Sequence, residues 1–303
     1  MTQIPLQSFK QRTGGFCMIL LFACSLAAAH PPDEKITPEE LVAKHQAAIG
    51  APDILASWQT FVAKGANRVT VRQSGTKTFA GQTVLASDGA KNFVGYFFDS
   101  SDYPFDRLAY DGEKVSVSAL PTGIRSTLGE FFLTFSLPIQ RGLLGGILST
   151  AWPLRKTAAQ NYKLEISGSK KINEHDCYEV KYKPDKGTDL DIRFYFDKAT
   201  FQLLHSSYKR TSAARSSTGV DTPGLQRDDA HFEVAEDFAD FKSEKGLILP
   251  HSYKVTLTFE QQFANGTLFW IWDSRLTEFF FNQNIRPEEF VIAGPPPKAK
   301  GKP

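Results

Sequence analysis

The feature that most constrains the fold is an alternation of apolar and polar residues with a period of two, found on both sides of one long apolar segment. Phe61, Ala63, Gly65, Val69 and Val71 alternate with Lys64, Arg68, Thr70 and Arg72. Successive side chains of a strand point to opposite faces, so the pattern predicts a strand with one dry and one wet face. Further strands are predicted over 78–87, 92–98, 107–110 and 114–118, with Asp88-Gly89 and Asp111-Gly112 as two-residue hairpin signals. After residue 152 the alternation is cleaner. Tyr178, Val180 and Tyr182 oppose Cys177, Glu179 and Lys181; Ile192, Phe194 and Phe196 oppose Asp191, Arg193 and Tyr195. Tyr253, Val255, Leu257 and Phe259 oppose Lys254, Thr256, Thr258 and Glu260; Asn265-Gly266 then turns the chain into strands over 267–273 and 275–281. These are long antiparallel hairpins.

The segment between the two β-patterned halves, 128–152, reads LGEFFLTFSLPIQRGLLGGILSTAW. Leu128, Phe132, Phe135 and Ile139 recur at helical spacing, joined by Phe131 and then by Leu143, Leu144, Ile147 and Leu148. Pro138 lacks an amide hydrogen and its ring opposes a continuing helix, which predicts two short helices meeting near Leu137. Gly142, Gly145 and Gly146 loosen the second. Such a stripe either fills the core of a sheet or forms a helical plug or lid over an apolar hollow. Upstream, Thr37-Pro38-Glu39-Glu40 supplies an N-cap, a first-turn proline and a capping-box glutamate, so a helix starts there and stops at Gly50. A short second turn over 52–56 leads into the sheet.

The first 29 residues read as an export signal: Lys10 and Arg12 precede the apolar run 16–26, and Ala27-Ala28-Ala29 supplies the small residues a signal peptidase needs. Cleavage before His30 is the first reading; lipidation of Cys24 within Leu21-Phe22-Ala23-Cys24 is the second. Polar, Pro and Gly positions interrupt the central segment, so no later stretch has the ~20 apolar residues of a transmembrane helix. Cys17 leaves with the signal and Cys24 leaves or is lipidated. Cys177 then stands alone, without an internal disulfide, as a half-buried packing residue.

Lys+Arg 35 against Asp+Glu 33 leaves a net charge of +2, which gives no electrostatic reason to expect a nucleic-acid partner. The 25 Phe residues against 2 Met mean that rings supply much of the apolar volume. Enzymatic signatures are missing. His30, His45, His175, His205, His231 and His251 show no ligand-pair spacing, and no nucleophile elbow, phosphate loop or dinucleotide fingerprint stands in a fitting context. Glu174-His175-Asp176 reads as a solvated turn, and Asp237 and Asp240 as a strand end. No catalytic residue, metal site or cofactor is predicted.

No shift of composition separates two cores, so residues 30–292 are read as one domain, with 126–152 as its central helices or lid. Residues 211–230, rich in Ser, Thr, Gly and charge, are read as a mobile loop, and 293–303 as a solvated basic, Pro-rich tail. The expected class is α+β: a strongly curved antiparallel sheet, an unclosed β-barrel, wrapped around the central helices.

The order of elements, an export signal, an N-terminal helix, a meander carrying LAYDGEKVSVSALP over 108–121, central helices and long hairpins, resembles the LolA-like periplasmic lipoprotein-carrier superfamily. The family's DGK-type turn corresponds to Asp111-Gly112-Glu113-Lys114. This chain departs from the carriers where they place an arginine beside a proline before that turn: it reads SDGAKNFVGY, with Lys91 the nearest cation. The resemblance implies an unclosed barrel with a helical lid, an apolar cavity for lipoprotein acyl chains or similar amphiphiles, and residence in the periplasm of a Gram-negative-type bacterium.

Such binding is energetically reasonable. Burying about ten methylenes at ~0.8 kcal/mol each contributes ~8 kcal/mol before losses, near a micromolar dissociation constant. The expected wall comprises Phe131, Phe132, Phe135, Leu143 and Leu144 from the central segment, with Phe194, Phe196, Trp270 and Trp272 from strands. The alternative is an envelope scaffold or sensor that uses the same fold to bind another protein.

Overall fold

The computed structural model describes residues 36–72, 75–155, 161–210, 231–260 and 267–293. The expected export signal with Cys17 and Cys24, the loop 211–230, the Asn265-Gly266 turn and the tail beyond residue 293 lie outside the described residues. Two helices open the described chain, α1 (Pro38–Ile49) and α2 (Pro52–Ser57). Five strands follow: β1 (Thr60–Arg72), β2 (Thr76–Asp88), β3 (Lys91–Phe98), β4 (Phe105–Tyr110) and β5 (Val115–Val117). The central segment holds α3 (Thr127–Thr134), α4 (Leu137–Gln140) and a 3-10 turn at Gly146–Leu148. Seven strands complete the order: β6 (Tyr162–Ile172), β7 (His175–Pro184), β8 (Leu190–Asp197), β9 (Leu203–Arg210), β10 (His231–Glu244), β11 (Leu247–Glu260) and β12 (Thr267–Phe281).

Helix α1 begins where the capping chemistry demands. The Thr37 hydroxyl accepts from Glu40 N at 3.2 Å while the Glu40 carboxylate accepts from Thr37 N at 2.9 Å, so two orphan amide donors are satisfied reciprocally. Leu41, Val42, His45 and Ile49 form its buried face. The break in the central segment falls as Pro138 requires: α3 ends at Thr134 and α4 restarts with Leu137 as its first residue. The second piece is only four residues long, and the chain beyond it is a run of turns rather than a helix. Gly142 there has φ +64°, and a Cβ would lie 2.3 Å from the Ala151 carbonyl oxygen, so both conformation and space call for glycine.

The strands form a single sheet of twelve, in the order β5-β4-β3-β2-β1-β12-β11-β10-β9-β8-β7-β6. The last strand joins the two halves of the sequence by pairing antiparallel with the first, Phe61 opposite Phe281 and Val71 opposite Trp270. The expectation of a strongly curved sheet, an unclosed barrel wrapped around the central helices, is thereby corrected. The array is open, with β5 and β6 as its edges and no ladder between them among the described residues, and it is not strongly curled. The physical reason is twofold. Joining through β1 and β12 adds the two halves edge to edge, and helices of eight and four residues are too short to serve as an axle for twelve strands. The β1–β12 register shifts between Lys64 and Gly65, where Thr277 of β12 is the extra residue of a bulge; a Cβ on Gly65 would lie 1.9 Å from the Arg275 carbonyl oxygen.

The two faces differ as the alternation predicts. Phe61, Ala63 and Val69 of β1, Val94 and Tyr96 of β3, Ile192, Phe194 and Phe196 of β8, and Tyr253, Val255 and Leu257 of β11 are buried in one core with the central segment. The other face carries ion pairs, among them Arg193 with Glu179 and Asp191, and Asp237 with His205 and Lys254. Cys177 is buried on that second side with Tyr195 and Leu204. Turn register differs from the expectation at Asp88-Gly89. Asp88 pairs with Lys91, so the loop residues are Gly89 and Ala90, and only Gly89 has positive φ.

Candidate functional site

The central segment covers the core face of the sheet and is fastened to strands on both sides. From β2 and β3, the Ser87 hydroxyl accepts from Thr150 N at 2.9 Å and Asn92 Nδ2 donates to the Ile139 carbonyl at 2.9 Å. From β9 and β10, the Tyr208 hydroxyl lies 3.0 Å from the Leu143 carbonyl, and the Glu236 carboxylate accepts from Gly145 N at 2.7 Å. The irregular backbone after α4 thus completes its own turn hydrogen bonds with partners from strand side chains, in place of a helix ladder. Deleting the Ser87 hydroxyl or the Glu236 carboxylate takes the partner from a backbone amide, Thr150 N or Gly145 N, at a cost of about 1–3 kcal/mol, whereas the Ile139 and Leu143 carbonyls keep Gly142 N and Gly146 N.

Under this cover the core face is apolar at both ends and polar across its middle. Asn67 of β1, Thr83 of β2 and Ser274 of β12 meet at one point: Asn67 Nδ2 donates to Ser274 Oγ at 2.7 Å, and the hydroxyls of Thr83 and Ser274 are 2.8 Å apart. Ser274 pairs in register with Tyr253, whose hydroxyl donates to Glu236 Oε1 at 2.7 Å. The belt therefore runs from β2 through β1, β12 and β11 to β10 and ends on Tyr208 of β9. Glu236 is fully buried, and loss of hydration pushes its pKa up to about 7. A second buried carboxylate, Asp106 of β4, is pushed up to about 6 for the same reason, while accepting from the Tyr103 hydroxyl at 2.9 Å.

The residues expected to line a ligand cavity occupy this covered face. Phe131 and Phe132 are buried and meet edge to face with ring centroids 5.1 Å apart; Phe131 also contacts Phe135 and, on β10, Phe232. Phe194 and Phe196 pack with each other, Phe194 against Trp152 and Phe196 against His45. Trp272 stacks on Tyr96, and Trp270, Leu143 and Leu144 lie in the same core. Ring contacts sort these residues into three groups: one at α3, one at β8 and one at β12. Unlike Phe131 and Phe132, Phe135 is only half-buried, and it lines a cleft of about 540 Å³ at the α3–α4 junction with Tyr110, Leu137, Arg141, Lys186 and Asp189. Across that cleft Arg141 Nη2 meets Asp185 Oδ1 at 2.6 Å, tying α4 to the β7–β8 turn.

Sequence reasoning missed Glu236, Tyr208 and Tyr253 as a unit. The available signal was Phe232, Val234, Glu236 and Phe238, a period-two run in which one apolar place is taken by a carboxylate. Other titratable groups have local duties. His175 Nδ1 lies 2.6 Å from Asp197 Oδ2 at a hairpin end, and Asp237 stands within β10 rather than at its end. Among the described residues no group of three or more His, Cys, Asp and Glu side chains could hold a metal ion. No helix among the described residues is long and apolar enough to cross a membrane.

No family model matches the chain, and no curated protein matches it. Among solved structures it is similar to a LolA superfamily protein from Nitrosomonas europaea, at 12% identity and TM-score 0.45, covering 85% of this chain and 98% of that one. It is also similar to a domain described as an outer membrane lipoprotein-sorting protein from Vibrio parahaemolyticus, at 11% identity and TM-score 0.42, covering 83% of this chain and 94% of that one. A DUF1329 family protein from Desulfovibrio piger gives 11% identity and TM-score 0.41, covering 84% and 96%. The first bears the name of the superfamily that the order of elements in the sequence resembles. At these scores and identities the likenesses carry no function across.

Proposed function

We propose that this chain is a noncatalytic, exported binding protein whose central segment is a lid, and whose ligand is the acyl chain of a lipid or lipoprotein in the envelope of a Gram-negative-type bacterium. The observation that carries the reading is the half-buried Phe135 and Leu137 at the cleft beside the α3–α4 junction, continuous with the buried rings of Phe131 and Phe132. An apolar chain entering there meets aromatic surface as soon as α3 and α4 lift. Lifting them breaks one partly exposed ion pair, Arg141 with Asp185, and side-chain hydrogen bonds to backbone, and uncovers the buried Leu128, Phe131, Phe132 and Ile139. The ion pair contributes about 0–1 kcal/mol, so the larger cost is the apolar surface the lid gives up, which a ten-carbon chain worth ~8 kcal/mol would cover in its place.

The test is mass spectrometry of molecules extracted from natively purified full-length protein, followed by titration of the delipidated protein with a fluorescent fatty acid. An acylated molecule in the extract and saturable uptake are expected. Folded protein that carries no lipid and ignores fatty-acid and lipoprotein probes would sink the reading.

A further inference from the structure

The contacts around Glu236 cannot all be hydrogen bonds unless the carboxyl group carries a proton. Oε1 accepts from Gly145 N and from the Tyr253 hydroxyl, each at 2.7 Å. Oε2 lies 2.6 Å from the Tyr208 hydroxyl, and that same hydroxyl lies 3.0 Å from the Leu143 carbonyl. Tyr208 has one hydroxyl hydrogen, and a carbonyl oxygen and a carboxylate oxygen are both acceptors only. If Glu236 is ionised, Tyr208 must donate to it and the Leu143 carbonyl keeps only Gly146 N. If Glu236 is protonated on Oε2, it donates to Tyr208, and Tyr208 passes its own hydrogen to Leu143. Every contact is then satisfied.

We propose that Glu236 is a proton-operated latch: its protonated form fastens the Leu143–Gly145 stretch of the central segment to the sheet, and ionisation releases one of the two attachments. The surroundings support it. Glu236 is 0% exposed. The titratable groups facing it, Tyr208 of β9, Tyr253 of β11 and Tyr96 of β3, are themselves held neutral by burial and supply no counter-charge. The cation-forming side chain that favours its charge, His205 of β9, is engaged with Asp237, whose carboxylate also holds Lys254. On the central segment the charge at Arg141 is turned outward to Asp185. Burial accordingly pushes the Glu236 pKa up to about 7, well above the 4.5 of a solvated glutamate.

The sign follows from linkage. Opening exposes the carboxyl to water, where it ionises above 4.5, whereas in the closed form it stays protonated until about 7. Between these values opening releases one proton, so the open fraction rises about tenfold per pH unit and levels off above 7. The experiment is hydrogen exchange of the Gly145 amide in the ligand-free full-length chain from about pH 4.5 to 8.5, corrected for intrinsic rates, so its outcome does not depend on whether the ligand reading holds. Glu236→Gln supplies a fixed donor in place of the acid proton and should keep Gly145 protected while removing this pH dependence. Tyr208→Phe should lower protection at about pH 5 to near the high-pH level of the unmodified chain, with near-ultraviolet circular dichroism showing that the core persists. A flat profile in the unmodified protein, an unaltered slope in Glu236→Gln, or full protection in Tyr208→Phe overturns the latch.

Discussion

The indole N–H of Trp152 donates to Nε2 of His45 at 3.2 Å, while Nδ1 of the same ring donates to the Phe201 carbonyl at 2.9 Å. These partners demand a neutral imidazole, because a proton on Nε2 would face the indole hydrogen. Burial agrees and pushes the His45 pKa down from 6.5 to about 4. The unfolded chain therefore takes up a proton first, and the stability contributed by neutral His45 is present above 6.5 and lost as pH falls toward 4. Its full size is about 3 kcal/mol, because each tenfold step in a protonation equilibrium is worth about 1.4 kcal/mol. Asp106 and Glu236 shift oppositely, losing their contribution as pH rises through about 6 and 7. The His45 share is therefore read as a difference: urea denaturation of the unmodified chain and of His45→Gln should converge as pH falls from 6.5 to 4. A gap that stays constant over that window rejects the assignment.

Local chemistry was legible wherever it was self-contained. Thr37-Pro38-Glu39-Glu40 specified the start of α1, and the β1 and β11 alternations specified which face is dry. Two misreadings share one cause, a polar residue serving the core. Ser274 interrupts the apolar face of β12 and suggested two strands over 267–273 and 275–281, yet β12 is continuous because Ser274 meets Asn67 and Thr83. Glu236 hid β10 in the same way. The sheet's openness was not legible either, because the pairing of β1 with β12 is a contact between opposite ends of the sequence.

Arg155 caps α2 from a distance. Its Nη2 donates to the carbonyls of Trp58 at 2.5 Å and Leu55 at 3.0 Å, Nη1 donates to Thr150 at 3.1 Å, and the guanidinium lies 4.6 Å from the Trp58 ring centroid. A lysine ammonium offers no planar fork for three divergent carbonyls. Arg155→Lys should cost about 2–4 kcal/mol in chemical denaturation, since buried carbonyls lose their donors. A loss below about 0.5 kcal/mol would show that the fork is dispensable.

Phe132 and Phe135 sit three residues apart and should separate stability from uptake. Phe132 is 0% exposed, so Phe132→Ala should cost about 3–5 kcal/mol, the usual range for a truncated core aromatic. Phe135 is half-buried at the cleft, so Phe135→Ser should cost less while weakening fatty-acid probe binding several-fold. Equal probe affinity in Phe135→Ser and the unmodified chain removes Phe135 from the ligand path.

Arg141 and Asp185 test whether the outer end of the central segment gates the cleft. The pair is partly exposed, so Arg141→Ala, Asp185→Ala and the double variant should give a coupling of about 0.2–1 kcal/mol, reduced further by about 1 M salt. Kinetics should respond more than stability. If lifting α4 is part of entry, each single variant speeds probe association in stopped-flow fluorescence, and the double variant is no faster than either single one because the same contact has been removed. Additive acceleration would mean that the two residues act through separate partners, and unchanged rates would mean that the chain admits its ligand elsewhere.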